Sequence, residues 1–128
     1  MPHEMITVDT PDGHAQAYLS VPDDASVPLP GVLFIMDAIG IREQIEKMAD
    51  RIAAWGYVVL APNVFYRSGT VEDLAPPADL LDPDTRAAVM GEAMPRVRGL
   101  VPELAIPDLS AYVDALLARP EVAAGDIG

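Results

Sequence analysis

The stretch that decides the fold runs from residue 31 to residue 61 and reads GVLFIMDAIGIREQIEKMADRIAAWGYVVLA. It begins and ends with continuous apolar runs, at residues 31–36 and 57–61. Such runs are typical of parallel strands that are covered by helices on both faces. Between them, apolar residues recur at helical spacing, namely Ile41, Ile45, Met48, Ala49, Ile52 and Trp55. The stretch therefore predicts a strand–helix–strand unit with a right-handed crossover.

The N-terminal residues predict a β-hairpin. Residues 3–8 and 14–21 alternate apolar and polar side chains, and the Asp12-Gly13 pair lies between them. An Asp-Gly pair between two alternating runs is a strong hairpin signal. We expect two antiparallel strands at an edge of the sheet.

The second half of the chain predicts two helices and a further strand. Residues 84–93 form a short helix that begins at Asp82 or Asp84. A second, amphipathic helix covers residues 108–119 between two prolines, and its buried residues are Leu109, Tyr112, Val113, Leu116 and Leu117. Residues 126–128 begin another parallel strand. The predicted fold class is α/β, with a mostly parallel sheet flanked by helices and an N-terminal antiparallel hairpin.

Composition limits the classes of function. The chain has 128 residues, the size of one domain, and a net charge of −12 from 20 acidic and 8 basic side chains. Because this charge repels phosphate groups and anionic lipid, we expect neither nucleic acid nor a membrane as a partner. The chain contains no cysteine and has no apolar run of the ~20 residues that a membrane helix requires. We expect a cytoplasmic protein.

The candidate site residues follow the predicted parallel strands, since ligands of open α/β sheets bind beyond the carboxyl ends of the strands. Asp37 directly follows the first of these strands. Its carboxylate can either point into a site or accept hydrogen bonds from the turn that leads into the helix. The amides near Ala38 can form half of an oxyanion pocket. We expect Asp37 and the amide after it to line the rim of a pocket.

Other chemistries find little support. The two histidines match no metal-ligand spacing, so we expect no metal. A glycine-rich dinucleotide loop and a phosphate-binding Gly-Lys-Ser/Thr loop are both absent, which disfavours a flavodoxin-like or nucleotide-binding protein, and we expect no cofactor. A Gly-x-Ser-x-Gly elbow is absent as well. Arg67 and Arg86 could bind an acidic group of a substrate, although loop arginines more often pair with nearby acids.

Several stretches resemble the dienelactone hydrolase family of α/β-hydrolases. They are Asp12-Gly13-His14, residues 30–41, residues 49–63 and residues 107–128. The resemblance implies a cysteine or serine nucleophile in a Gly-x-Cys-x-Gly elbow, with an aspartate and a histidine later in the chain. In the family this elbow comes a few residues after a segment similar to residues 125–128. We therefore expect nucleophile, acid and base beyond residue 128, and residues 1–128 to be the N-terminal portion of a single, incomplete domain.

The resemblance also implies roles for three residues of this chain. Asp37 occupies the place of a family glutamate that hydrogen-bonds the resting thiol and activates the nucleophile, with one methylene fewer. Ala38 matches the residue whose backbone N–H forms half of the oxyanion hole. Arg86 lies near a family arginine that binds the carboxylate of the substrate.

The function implied is that of a carboxylic ester or lactone hydrolase that acts on a small molecule through an acyl-enzyme, without metal or cofactor. The 128-residue chain alone is then expected to be inactive. The alternative is a non-catalytic α/β module or fragment that acts by association with another chain, because an open sheet edge seeks a partner. On that view the isolated chain is poorly folded or self-associated.

Overall fold

The computed structural model describes residues 3–23, 26–76 and 80–128. Within these residues the chain forms one four-stranded sheet and three helices. In chain order the elements are β1 (His3–Thr10), β2 (Gly13–Ser20), β3 (Gly31–Leu33), α1 (Glu43–Ala54), β4 (Val58–Pro62), α2 (Pro83–Gly99) and α3 (Pro102–Leu117). The strand order across the sheet is β1-β2-β4-β3. This mixed sheet with helices confirms the predicted α/β class.

The N-terminal hairpin is confirmed. β1 and β2 pair antiparallel with Thr10 opposite Gly13, which leaves a turn of two residues, Pro11 and Asp12. β1 lies at the edge of the sheet, whereas β2 lies between β1 and β4. Because β2 is interior, residues on both of its faces are buried, among them Tyr18, Leu19 and Ser20.

The strand–helix–strand unit is confirmed as well. β3 and β4 pair in parallel, with Leu33 opposite Leu60, and every residue of β4 is buried. The face that α1 buries is narrower than predicted and consists of Ile45, Ala49 and Ala53. Met48 and Trp55 are instead 39% and 69% exposed. The buried residues repeat every four positions, so the contact is one row of mostly small side chains and the flanking positions remain outside it.

The two later helices are longer than predicted. α2 extends to Gly99 rather than residue 93, and α3 begins at Pro102 rather than residue 108. Each therefore contains a proline, Pro95 or Pro107, in its interior. A helical proline removes one backbone hydrogen bond. Both prolines are exposed, so the carbonyl groups that lose a helical partner can bond to water instead.

The buried face of α3 also differs from the prediction. Tyr112 and Leu116 are fully buried, as predicted, but the third buried residue is Asp108, only 2% exposed. Leu109 and Leu117, for which the sequence predicts burial, are 37% and 39% exposed. A buried carboxylate requires an ionic partner, and the structure supplies one from the loop after β4.

The residues after α3 lie alongside β3. Leu29 and Val122 form a parallel bridge, and the amide of Leu33 donates to the carbonyl of Gly128 at 2.9 Å. These bonds are the kind that a parallel strand beside β3 would make, and they lie where the sequence predicts such a strand to begin. The contact is close at Gly31, where a Cβ atom would lie 2.9 Å from side-chain carbons of both Ile127 and Leu116. Glycine at position 31 therefore sets how closely α3 and the final residues approach the sheet.

Candidate functional site

Three loops meet at one end of the strands, where the parallel strands β3 and β4 finish; we call this the carboxyl edge of the sheet. The carboxyl ends of β3 and β4 lie together because these strands are parallel. The hairpin turn lies at the same edge because β2 runs antiparallel to β4, with Ala17 opposite Pro62. This edge carries Asp37 after β3, Arg67 after β4 and Asp12 in the turn. It is the edge where open α/β sheets bind their ligands.

Asp37 is fixed in the turn that leads to α1. Its Oδ1 accepts hydrogen bonds from the amides of Ile39 (3.1 Å) and Gly40 (3.2 Å) and from Nη1 of Arg42 (2.8 Å). Its Oδ2 accepts one bond, from Nη2 of Arg42 at 2.9 Å. The hydrogen bonds from Arg42 lower the pKa of the Asp37 carboxyl most strongly; burial raises it, and the Gly40 and Ile39 amides lower it further, so that the pKa is lowered on balance. Asp37 is therefore an ionised acceptor at neutral pH.

Ala38 lies in the same turn, with a different backbone environment. The amides of the two residues after it are occupied by Asp37, whereas the amide of Ala38 donates to no other residue among those that the structure describes. A free N–H beside the carboxyl end of a parallel strand can stabilise a developing oxyanion. Two of the three predicted site residues, Asp37 and its neighbour Ala38, therefore lie in this one turn.

Arg86 lies apart from this turn. It is exposed in the first turn of α2, where its amide donates to the carbonyl of Asp82 at 2.9 Å. Its guanidinium forms no ion pair within residues 3–23, 26–76 and 80–128. The structure does not join Arg86 to Asp37 or Ala38.

An ionic cluster that the sequence did not predict joins the other two loops to α3. Arg67 Nη1 and Nη2 donate to the two carboxylate oxygens of Asp108 at 2.7 and 3.2 Å. The same guanidinium donates from Nε and Nη2 to Oδ2 of Asp12 in the hairpin turn, at 2.9 and 2.7 Å. The bonds to Asp108 raise the pKa of Arg67, with a smaller contribution from Asp12. Arg67 is thus one of the loop arginines that pair with nearby acids.

Two tyrosines complete this cluster. The hydroxyl of Tyr66 donates to Oδ1 of Asp108 at 3.0 Å, and the guanidinium of Arg67 lies 4.7 Å from the centre of the Tyr66 ring. The hydroxyl of Tyr112 is buried and has no hydrogen-bond partner among the described residues. Burial raises the pKa of Tyr112, and the nearby Asp108 charge raises it further. Both tyrosines are therefore neutral at physiological pH.

An apolar cavity lies beneath this edge, between the strand ends and α3. We call it the α3 cavity; its volume is about 180 Å³, and its lining residues are Ile35, Val64, Leu100, Ala105, Asp108, Leu109 and Tyr112. A larger, open groove of about 690 Å³ lies at the opposite edge of the sheet, beside His3 and Glu121. Neither cavity includes Asp37 or Ala38, and the side chain of Asp37 is 49% exposed. The expected pocket rim beside Asp37 is thus not formed by either of these cavities.

Metal sites and membrane-spanning helices are absent from the described part of the chain. No group of three or more histidines, cysteines, aspartates or glutamates there could hold a metal ion. None of the helices there is long and apolar enough to cross a bilayer.

Residues 15–128 match the sequence model of the Dienelactone hydrolase family. The chain belongs to the dienelactone hydrolase family. This match includes the turn at Asp37, Arg67 with its partner Asp108, and the residues that lie along β3, but not Asp12. The family resemblance of the sequence and the α/β-hydrolase fold are both confirmed.

Individual relatives cover part of the chain. A protein of Yersinia pestis named "Putative carboxymethylenebutenolidase" is 30% identical over 67 residues, which are 52% of this chain and 25% of that protein. The "Putative hydrolase fragment YghX" of Escherichia coli K12 is 37% identical over 62 residues, 47% of this chain and 53% of that protein.

A solved structure supports the fold. The crystal structure titled "Putative Dienelactone Hydrolase" from Klebsiella pneumoniae has a TM-score of 0.75 and 20% identity. The alignment covers 98% of this chain and 47% of that one. The chain thus spans about half the length of this solved relative.

Sequence reasoning missed Asp108 and Tyr66 as members of a polar cluster. The sequence presents Asp108 as the first residue of a helix, where an acid needs no partner. The available signal was the spacing of Asp108, Tyr112 and Leu116, which repeats every four residues and places the acid on the buried face. A buried acid then predicts a basic partner from a neighbouring loop, and Arg67 is such a loop residue.

Proposed function

We propose that this chain contributes to a carboxylic ester or lactone hydrolase that acts on a small molecule through an acyl-enzyme. The observation that carries the proposal is the turn after β3, where a fixed carboxylate lies beside an amide that has no hydrogen-bond partner among the described residues, beyond the carboxyl end of a parallel strand. Family membership supports the same reaction class. The nucleophile, acid and base are proposed to lie beyond residue 128.

The register of the final residues supports a nucleophile near this turn. Gly128 bonds to Gly31 and Leu33 of β3, so it lies level with the residue between them. If the same parallel pairing continues, the chain reaches the level of Asp37 about five residues later. That distance agrees with an elbow that follows a few residues after the segment 125–128. The nucleophile is then beside Asp37 and Ala38.

The proposed reaction has two steps. The base takes the proton of the thiol or hydroxyl while its sulfur or oxygen bonds to the carbonyl carbon, and the Ala38 amide donates to the carbonyl oxygen as negative charge develops there. The tetrahedral intermediate collapses, the ester C–O bond breaks, and the protonated base gives its proton to the leaving oxygen, which departs as the alcohol. Water then gives a proton to the base as it attacks the acyl carbon, the bond to the nucleophile breaks, and the nucleophile regains that proton as the carboxylic acid is released.

Asp37 is proposed to orient the nucleophile rather than to accept its proton permanently. Its lowered pKa keeps it ionised, so it can accept a hydrogen bond from a thiol or hydroxyl but cannot donate one. Oδ2 carries a single bond, from Arg42, and retains acceptor capacity. Arg86 is proposed as a contact for a carboxylate on the substrate; its exposed, unpaired guanidinium in the described structure is compatible with that role.

The test begins with the coding sequence past Gly128, where a Gly-x-Cys-x-Gly or Gly-x-Ser-x-Gly elbow is expected. The 128-residue chain should hydrolyse p-nitrophenyl acetate no faster than buffer, and the longer product should turn it over. In that product, Asp37→Ala should lower kcat/KM by at least about tenfold. Asp114→Ala, which removes an exposed acid from α3, is the matched control. Turnover by the short chain alone would show that the nucleophile is not downstream.

A second candidate function is association with another chain. Among the described residues, β1 pairs on one side only, so its other edge offers free backbone groups. A relative that is itself named as a hydrolase fragment aligns with 47% of this chain. This candidate needs no catalysis, and the sedimentation experiment in the Discussion tests it.

A further inference from the structure

The α3 cavity lies at the edge of the sheet that carries the proposed site. Ile35 follows β3 two residues before Asp37, and Val64 follows β4 two residues after its end. α3 closes the far wall with Ala105 and Leu109. A group held in this cavity is therefore near the carboxyl ends of both parallel strands.

The size of the cavity suits a small organic group. Its volume is about 180 Å³. An engineered apolar cavity of about 150 Å³ in another protein stays dry and binds benzene. A phenyl ring or a short alkyl chain is therefore of the right volume.

The lining of the α3 cavity disfavours a charged ligand. Aliphatic side chains and the ring of Tyr112 form most of the surface, and among the described residues of the lining only Asp108 is charged. Both oxygens of Asp108 are already occupied, by Arg67 and Tyr66. The guanidinium of Arg67 is shared between Asp108 and Asp12, so the cluster has more negative than positive groups. It offers no cation to a ligand carboxylate, and desolvating that carboxylate is costly.

We infer that the α3 cavity is a binding site for an uncharged apolar group of about phenyl size. This inference rests on the proposed function in one respect, because it assigns that group to the ester substrate. It makes the preferred substrate an ester whose side group in this cavity is small and apolar, while a carboxylate elsewhere on the substrate remains the proposed ligand of Arg86. A dianionic or carboxylate-bearing side group has no counter-charge in this cavity.

The test measures binding rather than turnover. Benzyl alcohol and benzoate, which share a ring and differ in charge, are titrated into the ¹⁵N-labelled 128-residue chain. Benzyl alcohol should shift the amide signals of Val64, Ala105, Leu109 and Tyr112, and benzoate should bind at least about tenfold more weakly. Equal affinity for the two probes, or shifts spread over the surface, would overturn the inference.

Two variants locate the site. Ala105→Leu fills the cavity and should weaken benzyl alcohol binding at least about tenfold, while Ala54→Leu makes the same change at an exposed position of α1 and should leave it unchanged. Leu109→Ala enlarges the cavity and should strengthen the binding of 1-naphthalenemethanol relative to the unaltered chain. Because this variant gains binding, it keeps the inference testable if Ala105→Leu does not fold. Wild-type affinity in Ala105→Leu, or no gain in Leu109→Ala, would overturn it.

The results distinguish a failure of the proposed function from a failure of the proposed binding site. If the longer coding product has no esterase activity but benzyl alcohol binds as expected, the proposed function fails and the site stands. If the product is active but the probes do not bind, the function stands and this assignment of the side group fails.

Discussion

At the scale of single residues, Asp37 combines fixed geometry with a lowered pKa. Its carboxylate carries four hydrogen bonds, two of them from Arg42. Because the pKa in the folded state is below the ordinary value of about 3.9, Asp37 stabilises the fold fully above that pH. This stabilisation is lost as the pH falls through the lowered pKa of the folded state.

The first prediction concerns the cause of that lowered pKa. In Arg42→Gln, the pKa of Asp37 should rise towards about 3.9, since its main hydrogen-bond donor is removed. Carboxyl ¹³C chemical shifts followed through an acid titration measure it directly. Arg51→Gln, an exposed arginine of the same helix, is the control and should leave the titration of Asp37 unchanged. An unaltered midpoint in Arg42→Gln would assign the effect to the turn amides instead.

The second prediction uses the two tyrosines near Asp108. Tyr66→Phe removes a hydrogen bond to a buried carboxylate and should lower the free energy of unfolding by about 1–2 kcal/mol. Tyr112→Phe removes a buried hydroxyl that lacks a partner in the described structure, so it should be neutral or stabilise by up to about 1 kcal/mol. Urea unfolding of both variants measures the difference. A large loss of stability in Tyr112→Phe would mean that this hydroxyl is bonded in solution.

The residue scale also shows how far sequence reasoning reached. It placed Asp37 and Ala38 directly after a parallel strand, because a continuous apolar run followed by an acid and a helix marks that position. In the structure β3 ends at Leu33, so three residues separate the strand from Asp37. Sequence reasoning could not show that Arg42 would clamp the carboxylate, since two residues five positions apart in a turn meet only for certain backbone angles. The pairing of Arg67 with Asp108 joins residues 41 positions apart, and no local pattern encodes it.

At the scale of elements, glycines in two different settings give the third prediction. Gly91 lies within α2 with open space where a Cβ would lie, so Gly91→Ala should stabilise the chain by about 0.5–1 kcal/mol. Gly31→Ala should destabilise it by about 1–3 kcal/mol, because the added methyl meets Leu116 and Ile127 at 2.9 Å. Thermal unfolding compares them under one condition. Equal effects of the two substitutions would contradict the close contact at Gly31.

Element boundaries were less accessible from the sequence than element types. The strand–helix–strand unit was predictable because its periodicity changes twice within 31 residues and glycine marks the end of its helix. The ends of α2 and α3 were not, because Pro95 and Pro107 look like helix boundaries in the sequence. Whether a proline ends a helix depends on whether its freed carbonyl partner can reach water, and that depends on tertiary packing.

At the scale of the whole molecule, net charge and sheet edges act in opposite directions. A charge of −12 makes copies of the chain repel one another, whereas the free edge of β1 favours pairing. Glu4 and Asp9 lie on β1 and are exposed, so repulsion acts at the edge itself. Salt screens the repulsion more than it weakens backbone hydrogen bonding.

The fourth prediction follows from that balance. The weight-average mass in sedimentation velocity should rise with protein concentration, and more steeply at about 0.5 M NaCl than at about 20 mM, where the Debye length is longest. Glu4→Lys, which reduces the negative charge of β1, should strengthen association at low salt. Asp114→Lys makes a comparable change on exposed α3 and serves as the control. One monomeric species at all salt and protein concentrations would remove self-association as a function.

The ion pairs of Arg67 with Asp12 and Asp108 have a consequence for the conditions under which this fold is stable. One guanidinium connects the hairpin turn, the loop after β4 and α3, the kind of connection that many small domains make with a disulfide. Whether a disulfide forms depends on the reduction potential of its compartment, whereas the formation of an ion pair does not. A reducing buffer therefore leaves these ion pairs intact, and the connection between the three segments does not depend on the redox state of the surroundings.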